Sequence, residues 1–572
     1  MISRSKIVVL GLLVTLLMLG LTGCGGVQST EPPETAVPTE VGEDIATEVP
    51  EEQEEPGQDL VVVRFGSLYE PDRLDNQYVA SNPWDFKDPI WEAAIGSGPG
   101  GGEPTPRLAR EVKISEDGLT YTFHLYDGIT WSDGETFDSS DYVEFFDWIT
   151  ELSLGDWYLS TRDVVSWEAL DDLTFQYTLS TPNGSFYGND GIFVWPLPMQ
   201  VYGGMTEDEF FSYGTDLPLT TGPIKITEWE RGSHIVLDAR PEYHLGQVDF
   251  DRVVWQVYSN WDALISGLLS GEIDVIPYSI PPEQVEPLAA DPNITIAETT
   301  PGSIVTLLFN MSDKGLQHPA VLDPLVREAI DYALNRQRVI DIALLGHGTH
   351  CPPLFRCGPP QVGLQDPTAK VAAYDPEKAN QMLEDAGYVD TDGDSVRESP
   401  DGLPLEFRLQ FDLQFPPNEA AVRLISDDLK AIGFATEVEA VEYGVLANVM
   451  MAEEDYDLVL MARSADADPT SNHDWRLTCW SAVLDASGNF NNYCNKEFDA
   501  LVQKVSETLG EERQQYAYEL DRMFARERPY LYVAGVSTIG AYRNDRVEIP
   551  HDLHPDGGYL WSWWGLMNME VK

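Results

Sequence analysis

The spacing of apolar residues changes period several times along this chain, and each change predicts an element. Leu60-Val-Val-Val-Arg-Phe65 is an almost unbroken apolar run, suited to a strand buried on both faces. Leu119, Tyr121, Phe123 and Leu125 alternate with Thr120, Thr122 and His124, which predicts a half-buried strand. Asp127-Gly128 and Asp133-Gly134 follow as turns. A helix is predicted from Ser139 to Thr150, with Val143, Phe146 and Trp148 as its apolar contacts. Ala329, Ala333, Ile340 and Leu344 fall on helical repeats that end near Gly346. Asp375 is a good N-cap with Pro376 in the first turn, and that helix stops at Gly387. Val422 to Ile432 predicts another helix closed by Gly433, and Tyr456-Asp-Leu-Val-Leu-Met461 a buried strand. Helices and strands mix throughout without a solenoid period, so the fold class is α/β, or mixed α+β.

The chain has 572 residues, 43% of them hydrophobic, which exceeds what one core supports and predicts two or three domains. Its first residues read as an export signal over 1–23. Arg4 and Lys6 precede the uncharged apolar stretch Ile7 to Leu21, and Leu21-Thr22-Gly23 closes it before Cys24. L-T-G-C looks like a bacterial lipobox, which implies cleavage before Cys24 and lipidation of its thiol, so that acyl chains hold the protein on a membrane. The apolar run is shorter than the ~20 residues a spanning helix needs. The segment 24–59 holds no Lys or Arg and is rich in Glu, Pro and Thr, so it reads as a tether with a reach of ~30 Å.

A formal charge of −61 excludes nucleic acid as a partner, because phosphate recognition needs clustered Lys and Arg. It also disfavours long-range steering of an anionic ligand. Of the five cysteines, Cys24 is assigned to the lipid, and four remain outside the cell. Two disulfides are expected, Cys351 with Cys357 and Cys479 with Cys494, since neither pair has a zinc-ligand spacing.

Leu108-Ala109-Arg110, Ser115-Glu-Asp-Gly-Leu-Thr-Tyr-Thr-Phe-His-Leu125 and Asp127-Gly-Ile-Thr-Trp-Ser-Asp-Gly134 resemble the signature of the family 5 extracellular solute-binding proteins, the oligopeptide, dipeptide and nickel receptors of ABC importers. Thr221-Gly-Pro-Ile-Lys225, Leu269-Ser-Gly-Glu-Ile-Asp274, Val326-Arg-Glu-Ala-Ile330 and Tyr374-Asp-Pro-Glu-Lys-Ala379 continue it in the family's order. Tyr126 departs from the usual Lys or Arg, and Arg240-Pro-Glu-Tyr243 carries Arg where the N-P-x-Y motif has Asn. The resemblance covers Leu60 to the C-terminus. It implies a two-lobed periplasmic-binding-protein-like fold of type II, closing by a hinge, with an additional inserted domain. The implied division is lobe I over 60–100, 212–305 and 536–572, the inserted domain over 101–211, and lobe II over 306–535.

The resemblance also implies ligand residues. Asp466, in Ser464-Ala465-Asp466, occupies the place of an aspartate that pairs with a peptide's α-ammonium, although Arg463 or Met461 stands where the tryptophan is usual. A turn aspartate is the alternative. Tyr69 and Trp84 near the first strand, and Trp563 near the C-terminus, are placed as aromatic cleft residues, with packing inside a lobe as the alternative. The loop from Cys479 to Cys494 resembles that of dipeptide receptors. Separately, Asp390, Asp392, Asp394, Glu398 and Asp401 put oxygens at positions 1, 3, 5, 9 and 12, with the Val396 carbonyl at position 7. That is the spacing of a calcium loop, with Ser395 in place of its glycine; it reads also as a solvated acidic turn. No cofactor is required, and a structural calcium ion is the one metal suggested.

The expected protein is therefore not an enzyme. It is a monomeric, lipid-anchored extracytoplasmic receptor that captures short peptides and delivers them to ABC permease subunits. An oligosaccharide is the alternative ligand. A carboxylate-based glycoside hydrolase is a third reading, weakened because no H-E-x-x-H or G-x-S-x-G accompanies the 96 acidic residues.

Overall fold

Two strands of unusual length organise the molecule, Ile294–Phe309 and Tyr530–Arg543, paired antiparallel along most of their course. The computed structural model describes residues 60–71, 89–96, 105–152, 163–184, 186, 195–215, 217–277, 280–312, 314–353, 363–463, 476–479, 489–550 and 560–572. Residues 59–572 form one compact unit.

The two long strands belong to a single sheet, and each half of them collects different neighbours. Towards one end, Tyr530–Arg543 pairs with Val275–Ile276, which pairs with Val62–Ser67; beyond it lie Arg252–Val257, His234–Ala239 and Ile224–Glu230. Towards the other end, Ile294–Phe309 pairs with Leu458–Arg463, followed by Glu406–Asp412 and Ala435–Val441. The register shifts between Thr299 and Ser303, where the two halves meet.

Both halves are covered on both faces, as nearly continuous apolar strands require. In the second half, helices Pro324–Ala333, Arg336–Ala343 and Pro417–Ala431 pack on one face with Leu307, Phe309, Leu409 and Leu460. Helices Lys496–Glu507 and Gly510–Glu527 pack on the other with Leu308, Val459 and Met461. In the first half, Phe65, Trp255 and Trp561 form one core, and helices Trp261–Ser270 and Pro282–Ala289 cover the opposite face.

A separate antiparallel sheet holds Ala109–Ile114, Thr120–Leu125, Thr174–Leu179 and Val164–Asp171 in that spatial order. Its apolar face packs on helix Ser139–Glu151 through Tyr121, Phe123, Tyr142, Phe146, Phe175 and Tyr177, a cluster of stacked and edge-on rings. Each such buried ring contributes roughly 1.5–3 kcal/mol. The Asp138 side chain caps the helix, and Asp141 returns the favour to the Asp138 N–H, closing a capping box.

This unit is fastened to the main sheet by Arg240, which is 2% exposed. Its guanidinium donates to the carbonyls of Thr220 (3.2 Å) and Gly222 (3.0 Å) on the main-sheet side, and to those of Thr130 (2.7 Å) and Trp131 (3.3 Å) across the junction. Three residues on, the Tyr243 hydroxyl donates to Glu92 and accepts from the Trp563 indole N–H at 2.7 Å, tying the C-terminal helix Trp563–Met567 to the same place. The Arg-Pro-Glu-Tyr motif is thus a junction where three chain segments meet.

Candidate functional site

Strand directions locate the site. Val62–Ser67 runs parallel to Arg252–Val257 and Val275–Ile276, and all three run the same way as Ile294–Phe309. Their C-terminal ends therefore point at the register break. In the second half, Leu458–Arg463 runs against Ile294–Phe309 and is parallel to Glu406–Asp412, which is parallel to Ala435–Val441. Their C-terminal ends point at the same break from the opposite side. Open parallel sheets bind ligands outside the carboxyl ends of their strands, so both halves offer their binding edge to one crevice.

Burial along the long strand dips at the same place. Tyr530–Arg543 is buried from Tyr530 to Gly535 and from Ile539 to Tyr542, and only half-buried at Val536–Thr538, facing the break. Here Glu298 meets His347 Nδ1 at 2.9 Å, and the short strand Gly348–Thr349 pairs with Val536 and Gly535.

Tyr69 follows the end of Val62–Ser67, at the crevice edge, with 51% of its surface exposed. Its backbone is fixed: its N–H donates to Ser67 Oγ at 2.9 Å, and its carbonyl accepts from the Trp255 indole at 3.3 Å. Trp563 is buried, with the Arg107 guanidinium 3.6 Å from its ring centroid and its N–H given to Tyr243. Face and polar edge are thus both engaged within the fold. Asp466 and Trp84 lie outside the described residues, as do Cys24 and Cys357.

Arg463, the last residue of its strand, sits opposite Ile304 at the crevice. It is 7% exposed, and its guanidinium lies 5.3 Å from the Phe490 ring and 5.8 Å from that of Tyr530. Burial first, and then the nearby Arg476, lower its pKa to about 10, which still leaves it charged at neutral pH. Polarity patterning places this arginine outside the strand; Tyr530 and Tyr532 reach it only through pairing across the sheet, a relation no local signal in the chain carries.

The structure joins Cys479 to Cys494, closing the loop beside helix Lys496–Glu507. Cys351 is also disulfide-bonded. In the acidic turn, Asp390, Asp392, Asp394 and Glu398 each bring a carboxylate oxygen within 4.8 Å of the others. Ser395 takes a φ of +76°, the left-handed conformation usually left to glycine, where the loop turns back. Asp390 accepts from the N–H groups of Gly393 and Ser395, and Glu398 from Thr391, so the carboxylates are aimed inwards by the backbone. Asp401 is not among the four.

No described helix is long and apolar enough to cross a membrane. Residues 103–481 match the model of the bacterial extracellular solute-binding proteins, family 5. The oligopeptide-binding protein AppA of Bacillus subtilis is 25% identical over 483 residues, spanning 80% of this chain and 83% of its own length. Its structure in complex with a nonapeptide superposes with a TM-score of 0.69 at 22% identity, over 89% of this chain and 99% of that one. The dipeptide-binding protein of Escherichia coli is 24% identical over 469 residues, 76% of this chain and 82% of its own length. A periplasmic oligopeptide-binding protein of Thermotoga maritima, solved with mannohexaose bound, matches with a TM-score of 0.72 at 18% identity, over 90% of this chain and 99% of that one. The family is thus one of binding proteins rather than enzymes, with a two-lobed mixed α/β fold, and this chain belongs to the family 5 bacterial extracellular solute-binding proteins.

Proposed function

We propose that this protein is the extracytoplasmic receptor of an ABC importer, a non-catalytic protein that captures a short peptide between two closing lobes and delivers it to the permease. One observation carries the reading: the C-terminal edges of parallel strands from both halves of the sheet face a single crevice, crossed among the described residues by two long strands. A hinge of two strands lets the halves rotate with little repacking, and closure strengthens polar contacts by expelling water. Relatives whose names describe oligopeptide and dipeptide binding, matched over most of their length, support a peptide over other solutes. The lipid anchor at Cys24, the tether over 24–59, the division into lobes and inserted domain, and a structural calcium ion at the 390–398 turn are parts of the same proposal.

Asp466 is proposed to hold the peptide's α-ammonium, and Tyr69 to line the crevice. The test is calorimetry of the purified protein with defined di- to pentapeptides and their N-acetylated forms. Free peptides are expected to bind and acetylated ones to bind poorly. Asp466→Ala is expected to weaken free-peptide binding by roughly 30-fold or more, because an enclosed ammonium loses a fixed anion. Binding of both peptide forms at wild-type strength by that variant would show that Asp466 is a turn residue. Binding of neutral oligosaccharides with no peptide bound would replace the peptide reading by the sugar one.

A further inference from the structure

The hairpin at the outer edge of the first half of the main sheet joins Ile224–Glu230 to His234–Ala239 through Arg231, Gly232 and Ser233. Gly232 takes a φ of +74°, the left-handed turn that lets so short a connection close. Glu230 pairs with His234, and Glu228 with Val236. Alternation therefore sets Glu228, Glu230 and His234 on one face, while Trp229 and Ile235 pack towards the core from the other. One ring nitrogen of His234 and one oxygen of each carboxylate lie within 4.8 Å of one another. His234 Nε2 is 3.5 Å from Glu228 Oε1, and Nδ1 is 3.7 Å from Glu230 Oε2, both beyond the ~2.9 Å of a hydrogen bond. Ser233 Oγ does lie at hydrogen-bond distance from Nδ1, at 3.0 Å. Arg252, whose charge is felt by Glu228, gives its fork to Asp238 at 2.6 and 3.1 Å. The turn itself is fastened. Glu70 accepts from the Gly232 N–H at 2.8 Å and from the Trp229 indole at 2.9 Å, and the Arg231 guanidinium lies 3.5 Å from the Trp229 ring centroid.

We propose that Glu228, Glu230 and His234 form a binding site for a divalent transition-metal ion of the zinc type, distinct from the acidic turn at 390–398 and independent of the peptide reading. Ligand atoms about 2.0–2.1 Å from a tetrahedral zinc lie ~3.4 Å from one another, and the 3.5 Å between His234 and Glu228 is close to that spacing. Donation of the Nδ1–H to Ser233 leaves Nε2 to bind the metal and fixes the ring's orientation, which is the outer-shell contact of ligating histidines. A divalent cation also offsets the mutual repulsion of two carboxylates on one strand face. An imidazole nitrogen among carboxylates favours a zinc-like ion over calcium, which takes roughly 6–8 oxygens. Paired strands and a fastened turn hold the three ligands in place before the ion arrives. Three protein ligands leave a fourth position for water or for a group on another molecule.

Calorimetry with zinc chloride and with calcium chloride tests the site. The parent is tag-free protein carrying Asp392→Ala and Asp394→Ala, so that the acidic turn adds no signal. His234→Ala, Glu228→Gln and Ser233→Ala are compared in that background, with each melting temperature recorded with and without zinc. The parent is expected to take up one equivalent of zinc, to prefer it to calcium by about tenfold or more, and to melt at a higher temperature when loaded. His234→Ala and Glu228→Gln should each weaken zinc binding by about 100-fold, and Ser233→Ala by about tenfold, the size of an outer-shell loss. If His234→Ala does not fold, Glu228→Gln and Ser233→Ala decide. A parent that takes up no zinc equivalent overturns the inference. An equivalent kept at full strength by His234→Ala and Glu228→Gln is an adventitious ion only, and overturns it too. Calcium bound as tightly as zinc would also overturn it, because carboxylates alone would then account for the binding. Peptide calorimetry of the wild type without metal is a separate measurement, so either reading can fail while the other stands.

Discussion

Arg240→Met removes the fastening between the four-stranded unit and the main sheet while keeping the side chain's length. The wild-type guanidinium makes six hydrogen bonds: four to the backbone carbonyls of Thr130, Trp131, Thr220 and Gly222, one to Thr130 Oγ1 and one to Glu242. The ion pair is the lesser part, because the Glu242 side chain is 51% exposed and such pairs contribute ~0–1 kcal/mol. The carbonyls matter more. Each one left buried without a donor costs about 1–3 kcal/mol, and partial relaxation and entering water lower the sum. Removing one member of a buried charged network typically costs ~3–5 kcal/mol, and that is the expected loss here. Urea unfolding followed by circular dichroism measures it, and hydrogen exchange of residues 125–137 shows whether the loss falls at the junction. Unfolding of so large a chain need not be two-state, so the exchange data carry the localisation. Arg240→Lys should recover only part of the stability, since an ammonium with three donors cannot span both sides of the junction. A loss below ~1 kcal/mol for Arg240→Met, or full recovery with lysine, would refute the account of the motif as a clamp.

Burial raises the pKa of Asp521 to about 7, with one oxygen accepting from the Asp366 N–H at 3.1 Å. Its carboxyl is held neutral in the fold and is ionised when unfolded, so it favours folding at pH 4 and loses that contribution as pH rises towards 7. The melting temperature of the wild type should therefore fall relative to Asp521→Asn between pH 4 and 8, by an equivalent of ~2–4 kcal/mol; parallel profiles would remove the burial argument. Chelation should lower the melting temperature of the wild type but not of an Asp392→Ala, Asp394→Ala variant, whereas equal responses would leave the turn merely solvated. Cys24→Ser should release the protein from membrane fractions of the producing cell without altering ligand affinity, and membrane retention of that variant would reject the lipobox.

Local patterns in the chain were enough for the elements whose partners lie nearby. The Leu119–Leu125 alternation corresponds to the strand Thr120–Leu125, and Asp375-Pro376 opens the helix Pro376–Asp385. Val422 to Ile432 understates a helix that starts at Pro417, because a proline in the first turn marks a beginning as readily as a break. The strand read as Tyr456 to Met461 is displaced to Leu458–Arg463, since a polarity pattern assigns a terminal arginine to the loop. Ordered motifs mark the family without geometry, as each motif records a local backbone requirement. The crevice is different. It exists because Ile294–Phe309 pairs with Tyr530–Arg543 across more than two hundred intervening residues, and because strand directions in both halves converge on one break in register. Pairing partner and direction are set by which faces can be buried together, an energy belonging to the assembled sheet and to no single segment. That is why Arg463 is a charge outside the pattern in the chain and a buried strand end beside Tyr530 and Tyr532 in the fold.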